Sequence, residues 1–332
     1  MRVFLTGGSG LVGSHVAALL REEGHQVVAL ARKETRSTHL ESLGCDVVRG
    51  DVRDPPPVLE PLMAGCTHAV HAAALVYAGL PWPEVRAVNV EGTWNVLAAA
   101  AAAGVGHAVH VSSVAVYGSA DGPLDEDSPI DTDIPATDLY ARSKREAEGA
   151  ARRAEHELGL SVTVLRPSAV YGEHDRLLAP RIARMVRYPV AFLLGGGANT
   201  IPTVYAGNVA VAVALALAAG RCGATYNVAL DHPLTQRVLL TGLAKGMGRS
   251  PILIPIPAGL VRVGAALLDR LGVSAPGAAH LPLGRVVRLA LGENPYPSRR
   301  IREELEWDPP HRHEDALVRT GRWMKDYGTS RE

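Results

Sequence analysis

Short apolar runs alternate with amphipathic stretches through the first half of the chain. That is the pattern of a parallel sheet joined by crossover helices. The runs Arg2–Thr6, Gln26–Ala31, Asp46–Arg49, His68–Ala72, His107–Ser112 and Ser161–Arg166 read as six strands. Between them the apolar residues recur with helical spacing. Helices are predicted over Leu11–Glu23, stopped by Gly24, over Glu84–Ala103, between Pro83 and Gly104, and over Ala136–Leu158. The order is that of a doubly wound α/β sheet, which binds ligands at the carboxyl ends of its strands.

After Gly172 proline and glycine become frequent and the alternation stops. Val209–Ala219, Leu234–Lys245, Ala258–Leu271 and Pro282–Leu291 read as helices, and Ala224–Ala229 as a strand. The expected division is a Rossmann-type dinucleotide-binding domain over 1–172, to which 203–229 returns, and a smaller, mostly helical substrate lobe over 173–332. The alanine run Ala98–Ala103 is helix rather than disorder, because alanine is the best helix former.

Thr6-Gly7-Gly8-Ser9-Gly10-Leu11-Val12-Gly13 joins the first strand to the first helix. Gly7 permits a tight turn, Gly10 lets the backbone approach a pyrophosphate, and Gly13 lets helix pack on strand. The helix start then offers its free N–H groups to the phosphates. Gly7, Ser9, Gly10, Leu11, Val12 and Gly13 are therefore expected to hold a dinucleotide. The second strand ends in Ala31 followed by Arg32 and Lys33, with no acid to bond a ribose 2′-hydroxyl. A guanidinium pairs well with a 2′-phosphate, so NADP(H) is expected over NAD(H), with NAD(H) still possible. Asp51, followed by Val52, reads equally as a ligand of the adenine amine and as a turn cap.

Tyr140 and Lys144 are four apart on a predicted helix and share a face. An ammonium beside a phenol favours the phenolate and lowers its pKa from about 10. Ser113 follows the fifth strand, where its hydroxyl can hold a carbonyl oxygen beside Tyr140. The three together read as a proton-transfer set for an alcohol or ketone.

These segments resemble the extended short-chain dehydrogenase/reductase family over nearly the whole chain. The matching residues are TGGSGLVG (Thr6 to Gly13), GDVRD (Gly50 to Asp54), HAAA (His71 to Ala74), NVEGT (Asn89 to Thr93), VSSVAVYG (Val111 to Gly118), YARSK (Tyr140 to Lys144) and LRPSAVYG (Leu165 to Gly172). The resemblance implies Tyr140 as proton donor or acceptor, Lys144 as its modulator and Ser113 as the carbonyl binder. It also puts Ala72, Ala73, Ala74, Asn89, Pro167, Ser168 and Val170, with Tyr140 and Lys144, among the cofactor-binding positions. It further implies a homodimer formed through the two long helices.

Departures from the family's branches narrow the reaction. Sugar-nucleotide dehydratases carry an Asp-Glu pair where this chain has Val114-Ala115. Sugar-nucleotide epimerases hold the diphosphate with an arginine where this chain has Ile201. The stretch Leu165 to Leu217 is most similar to the 3β-hydroxysteroid dehydrogenase-like branch. The expected activity is an NADPH-dependent exchange of ketone and secondary alcohol, on an apolar or lipid-like substrate. The alternatives are a nucleotide-sugar epimerase and a non-catalytic NADPH-binding regulator; the second requires a damaged Tyr/Lys/Ser set. The apolar runs Val190–Leu194 and Ile252–Leu268 read as a substrate wall or as ordinary core.

The bulk composition adds exclusions. Lys+Arg and Asp+Glu both number 34, and 47% of residues are hydrophobic. Zero net charge removes the usual electrostatic case for nucleic acid or an anionic membrane, which leaves a small-molecule partner. Arg299-Arg300 reads as a solvated helix start. Cys45, Cys66 and Cys222 are too far apart for a zinc or CxxC spacing, and they suit reduced thiols in the cytoplasm. Met1-Arg2 runs straight into a strand, so no signal peptide is expected. No apolar run reaches the ~20 residues of a membrane span. His68 and His71, like His107 and His110, are three apart on strands and so face opposite ways, and no metal is expected. His311 and His313 read as exposed loop residues, Trp307 and Trp323 as core anchors.

Overall fold

The computed structural model describes residues 1–76, 79–118, 122–130, 134–270, 287 and 291–327. The strands β1 (Arg2–Thr6), β2 (Gln26–Ala31), β3 (Asp46–Arg49), β4 (His68–His71), β5 (His107–Val111) and β6 (Ser161–Pro167) stand where the apolar runs predict them. The chain continues with β7 (Ala169–Tyr171), β8 (Val190–Leu194), β9 (Thr203–Tyr205), β10 (Thr225–Val228) and β11 (Ile252–Ile256). Seven strands build one sheet in the order β10-β6-β5-β4-β1-β2-β3, and every pairing in it is parallel. Strand order reverses between β1 and β4, the place where a doubly wound sheet takes its ligand at the carboxyl ends.

Helices cover both faces, which is why β5 is buried at all five positions. The helices are α1 (Leu11–Glu22), α2 (Thr38–Ser42), α3 (Pro56–Leu59), α4 (Trp82–Arg86), α5 (Gly92–Ala102), α6 (Leu139–Leu158), α7 (Leu178–Val186), α8 (Ala206–Ala219), α9 (Gln236–Gly246) and α10 (Ala258–Arg270). Helices at Arg299–Leu305 and His313–Tyr327 follow. On one face α1 and α8 pack through Val16, Leu20, Val213 and Leu217. On the other, α3, α5 and α6 pack through Leu59, Val96, Ala100 and Ala151. A separate core gathers α7, α9 and the last helix through Ile182, Val186, Leu243 and Leu317.

The helix expected over Glu84–Ala103 starts at Trp82, and a π-helical turn, Ala87–Glu91, joins α4 to α5. The helix expected from Ala136 starts at Leu139. A turn bonds the Asp138 N–H to the Pro135 carbonyl, and the Asp138 carboxylate then caps the Ala141 N–H at 3.0 Å. The run Ile252–Leu268 breaks at Pro257 into β11 and α10, and β11 pairs in parallel with β8. β7 and β9 are three residues each, too short to show an alternation. The helix expected at Pro282–Leu291 lies outside the described residues, apart from its positions 287 and 291.

His313 corrects an expectation. It is buried at 2% exposure rather than lying in an open loop. Its Nδ1 shares a hydrogen bond with the Tyr171 hydroxyl at 2.8 Å, and its Nε2 lies 3.2 Å from the Asp231 carboxylate. Trp307 is core, at 1% exposure, with its indole N–H on the Asn208 carbonyl.

Candidate active site

The glycine turn sits at the strand-order reversal. Gly7 has φ +74°, and a Cβ there would lie 2.7 Å from the Ala72 carbonyl carbon and the Ala73 nitrogen. A Cβ on Gly13 would lie 2.2 Å from the Gly7 carbonyl oxygen. Backbone occupies the space of both side chains, so the turn folds only with glycine. Gly10 caps α1 with no side-chain bond, and the first turn holds no acidic residue. The cradle is thus close-packed, positive at its helix end and free of competing carboxylate, and it fits a dinucleotide pyrophosphate. The Ala72 and Ala73 backbone closes its other side at the end of β4, and Ala74 follows.

Around the expected adenosine pocket the structure adds detail. Arg32 is exposed just beyond β2 and helps lower the pKa of Asp51. Asp51 itself is clasped by Arg53, whose Nε and Nη2 donate at 3.0 and 2.8 Å. That side-chain bond is the main cause of the lowered pKa. Val52 packs against Gly92. Arg49, which sequence reasoning missed, braces the loop after β2. It donates to the carbonyls of Arg32 and Thr35, both at 3.1 Å, and to Ser37 Oγ at 2.8 Å. No spacing rule points to it, because its partners lie twelve to seventeen residues away and two of the three are main-chain atoms.

Ser113, Tyr140 and Lys144 meet where β5 ends against the first turns of α6. Ser113 is extended, and its Oγ accepts from the Ala115 N–H at 3.2 Å. Its hydroxyl is also hydrogen-bonded to Tyr140. Lys144 is buried, and its Nζ donates to the Val111 carbonyl at 2.8 Å. Burial pushes the Tyr140 phenol up to about 12, and the Ser113 bond works the other way. Burial also lowers Lys144 to about 8, with Glu148 opposing. The phenol is therefore a neutral proton donor here. Asp138 adds to the upward shift, and Lys144 is not among the groups that move it.

Asn89, in the π-helical turn, serves as a brace. Its Oδ1 accepts from the Leu75 N–H at 2.7 Å, and its Nδ2 donates to Leu75 O at 2.9 Å and Ser143 Oγ at 2.8 Å. It ties the loop after β4 to the helix turn between Tyr140 and Lys144. Such turns recur at functional sites. Pro167 ends β6, Ser168 donates to the Ala229 carbonyl at 3.2 Å, and Val170 lies in β7.

Beneath the site lies a buried network that the sequence reading missed. Glu148 follows Lys144 at the next i+4 position on α6. Arg166 grips it with Nε and Nη2 at 2.9 and 2.7 Å, and Ser112 donates to it at 2.6 Å. Val114 and Ala115 are buried and apolar, and so is Ile201. The histidines three apart do face opposite sides of the sheet, but strand register brings His71 and His110 together as stacked rings 5.5 Å apart. No group of three or more metal-ligating side chains forms among the described residues.

The NAD dependent epimerase/dehydratase family model matches residues 3–229. The chain belongs to that family. A 2-alkyl-3-oxoalkanoate reductase of Stenotrophomonas maltophilia is 33% identical over 257 residues, 75% of this chain and 76% of its own. A 4-hydroxy-2-methyl-3-oxo-4-farnesyl-3,4-dihydroquinoline-1-oxide ketoreductase of Stigmatella aurantiaca is 32% identical over 296 residues, 88% and 87% of the two chains. Among solved structures, gox2253 superposes with a TM-score of 0.77 at 26% identity over 98% of both chains. The dTDP-glucose 4,6-dehydratase DesIV of Streptomyces venezuelae, a double mutant with NAD and DAU bound, gives 0.74 at 27% over 98% of both. As a member of the epimerase/dehydratase family the protein is an NAD(P)-dependent enzyme of the extended short-chain dehydrogenase/reductase type, acting on a small molecule.

Proposed function

We propose that the protein is an NADPH-dependent reductase that converts a ketone to a secondary alcohol, with an apolar or lipid-like substrate. The observation that carries this reading is the geometry that sets the Tyr140 phenol beside Ser113 at the end of β5, one helical turn from the buried Lys144. A bound reduced nicotinamide supplies the hydride. Ser113 holds the substrate oxygen, and Tyr140 gives it a proton as the carbon–oxygen bond becomes single. A phenol kept protonated is the form that reduction needs. Arg32, with the loop that Arg49 braces, supports NADPH over NADH.

The ketoreductase relatives favour a carbonyl substrate. The buried Val114, Ala115 and Ile201 argue against water elimination and against a nucleotide sugar. In the homodimer that completes this reading, α5 and α6 pair with their counterparts in a second copy; light scattering on the purified chain measures it. The deciding experiment is a panel of ketones, keto esters, steroids and UDP-sugars scored by loss of NADPH absorbance. Consumption with an apolar ketone supports the reading. Interconversion of a UDP-sugar without net NADPH loss overturns it.

A further inference from the structure

The chain is neutral as a whole, yet its charge is unevenly spread. Between residues 176 and 268 the sequence holds one acidic residue, Asp231, against nine arginines and lysines. Asp231 is buried and engaged by His313, Asn208 and the Tyr205 N–H. This stretch therefore presents cations to solvent and no carboxylate.

The same stretch carries an apolar face turned outward. In the β8–β11 ribbon the register Val190↔Ile252, Phe192↔Ile254 and Leu194↔Ile256 sets six apolar side chains on one side. None of the six is buried. Ile252 is 67% exposed, whereas Leu193 on the opposite side is fully buried in the lobe core. Two residues beyond the ribbon α10 begins, and Leu260, Val263 and Leu267 form an i, i+3, i+7 stripe, each more than half exposed. Arg187 and Arg249 are exposed just before the two strands, at one end of the ribbon; Arg184 is exposed three residues earlier in the last turn of α7, and Tyr188 lies beside Arg187.

Exposed apolar surface on two successive elements marks an interaction face. A second copy docked symmetrically would bring a cationic rim against a cationic rim. An anionic lipid surface would neutralise the rim and bury the apolar residues together. We propose that this face of the C-terminal lobe docks on an anionic phospholipid bilayer. Phe192, Ile252, Ile254, Leu260 and Val263 enter the headgroup boundary, and Arg184, Arg187 and Arg249 meet the lipid phosphates. Tyr188 suits the level of the headgroups. The docking is peripheral, since no helix among the described residues is long and apolar enough to span. It stands independently of the reaction at the Tyr140 site.

The test is flotation of the purified full chain with vesicles of phosphatidylcholine, alone or mixed with phosphatidylglycerol. Binding is expected to be about tenfold or more stronger on the anionic vesicles and to weaken in high salt. A triple variant, Ile254→Asp, Leu260→Asp and Val263→Asp, should lose binding while keeping its circular dichroism and melting temperature. Arg184→Glu with Arg187→Glu and Arg249→Glu should also lose it, without touching the apolar face. Failure of the wild type to float, or unchanged binding by both variants, overturns the proposal. So does a dimer, seen by light scattering, that the triple variant abolishes while vesicles stay bare.

Discussion

Lys144 Nζ donates to the main-chain carbonyl of Val111 across 2.8 Å. Ser113 lies two residues past that carbonyl, and Tyr140 lies one helical turn before the lysine. One buried bond therefore fixes the spacing of serine and phenol. Burial holds Lys144 near 8, so its charge is lost as pH rises through that value, while Tyr140, near 12, keeps its proton. Reductive turnover is expected to be level through neutrality and to fall above about pH 8. Measurement of kcat between about pH 6 and 10 checks this; a level profile to about pH 9.5 contradicts the role given to Lys144.

Tyr140→Phe removes the donated proton and little else. The ring fills the same space, and Ser113 keeps its bond from the Ala115 N–H. NADPH binding, followed by fluorescence, is expected to stay within about twofold, and kcat to drop by about 10²–10⁴. Turnover near wild type in the purified variant would remove the phenol from the chemistry.

The main sheet was legible because its central strands are buried on both faces, so burial writes near-continuous apolar runs into β1 and β2. The glycine turn and the Tyr140/Lys144 pair were legible because each depends on local spacing. The brace from Arg49, the stack of His71 on His110 and the burial of His313 were not. Each depends on partners that strand register or chain return brings from far away in sequence. Glu148 was missed too: it stands an i+4 step from Lys144 on α6, but its bidentate partner Arg166 comes from β6.

Arg49 offers a test of cofactor choice that avoids direct contact with the ligand. Its guanidinium shapes the loop that carries Arg32 by holding two main-chain carbonyls and Ser37. Arg49→Ala should loosen that loop and raise KM for NADPH by about tenfold, the cost of a lost charge-assisted contact. KM for NADH should move little, since it lacks the 2′-phosphate. Equal effects on both cofactors would show that the loop does not discriminate between them.

Glu148 and Arg166 are exposed by only 1% and 2% at their side chains. Removing one partner of such a pair leaves a buried charge uncompensated, which costs about 3–5 kcal/mol. Glu148→Gln is therefore expected to lower the melting temperature by roughly 5 °C in a chain of this size. A shift below about 2 °C would mean that water or another group reaches Arg166 once the carboxylate is gone.

His110 makes the acid side of stability informative. Both its ring nitrogens lack a hydrogen-bond partner among the described residues, and it is 1% exposed. Burial, with Lys144 and His71 adding to it, keeps its pKa well below 6.5, and burial takes His71 to about 3. In the unfolded chain both imidazoles accept a proton near pH 6.5. Above that pH neither histidine makes stability depend on pH. Below it, the unfolded state binds protons that the native state refuses, and stability falls by up to about 1.4 kcal/mol per pH unit for each group. His110→Phe keeps a flat ring in the same space and removes two unpaired polar atoms. Its melting temperature should match or exceed wild type near neutrality. Between about pH 6 and 4.5 it should fall less steeply than wild type, because one of the two refusals is gone. Parallel acid slopes in thermal denaturation would show that His110 takes up its proton in the folded protein.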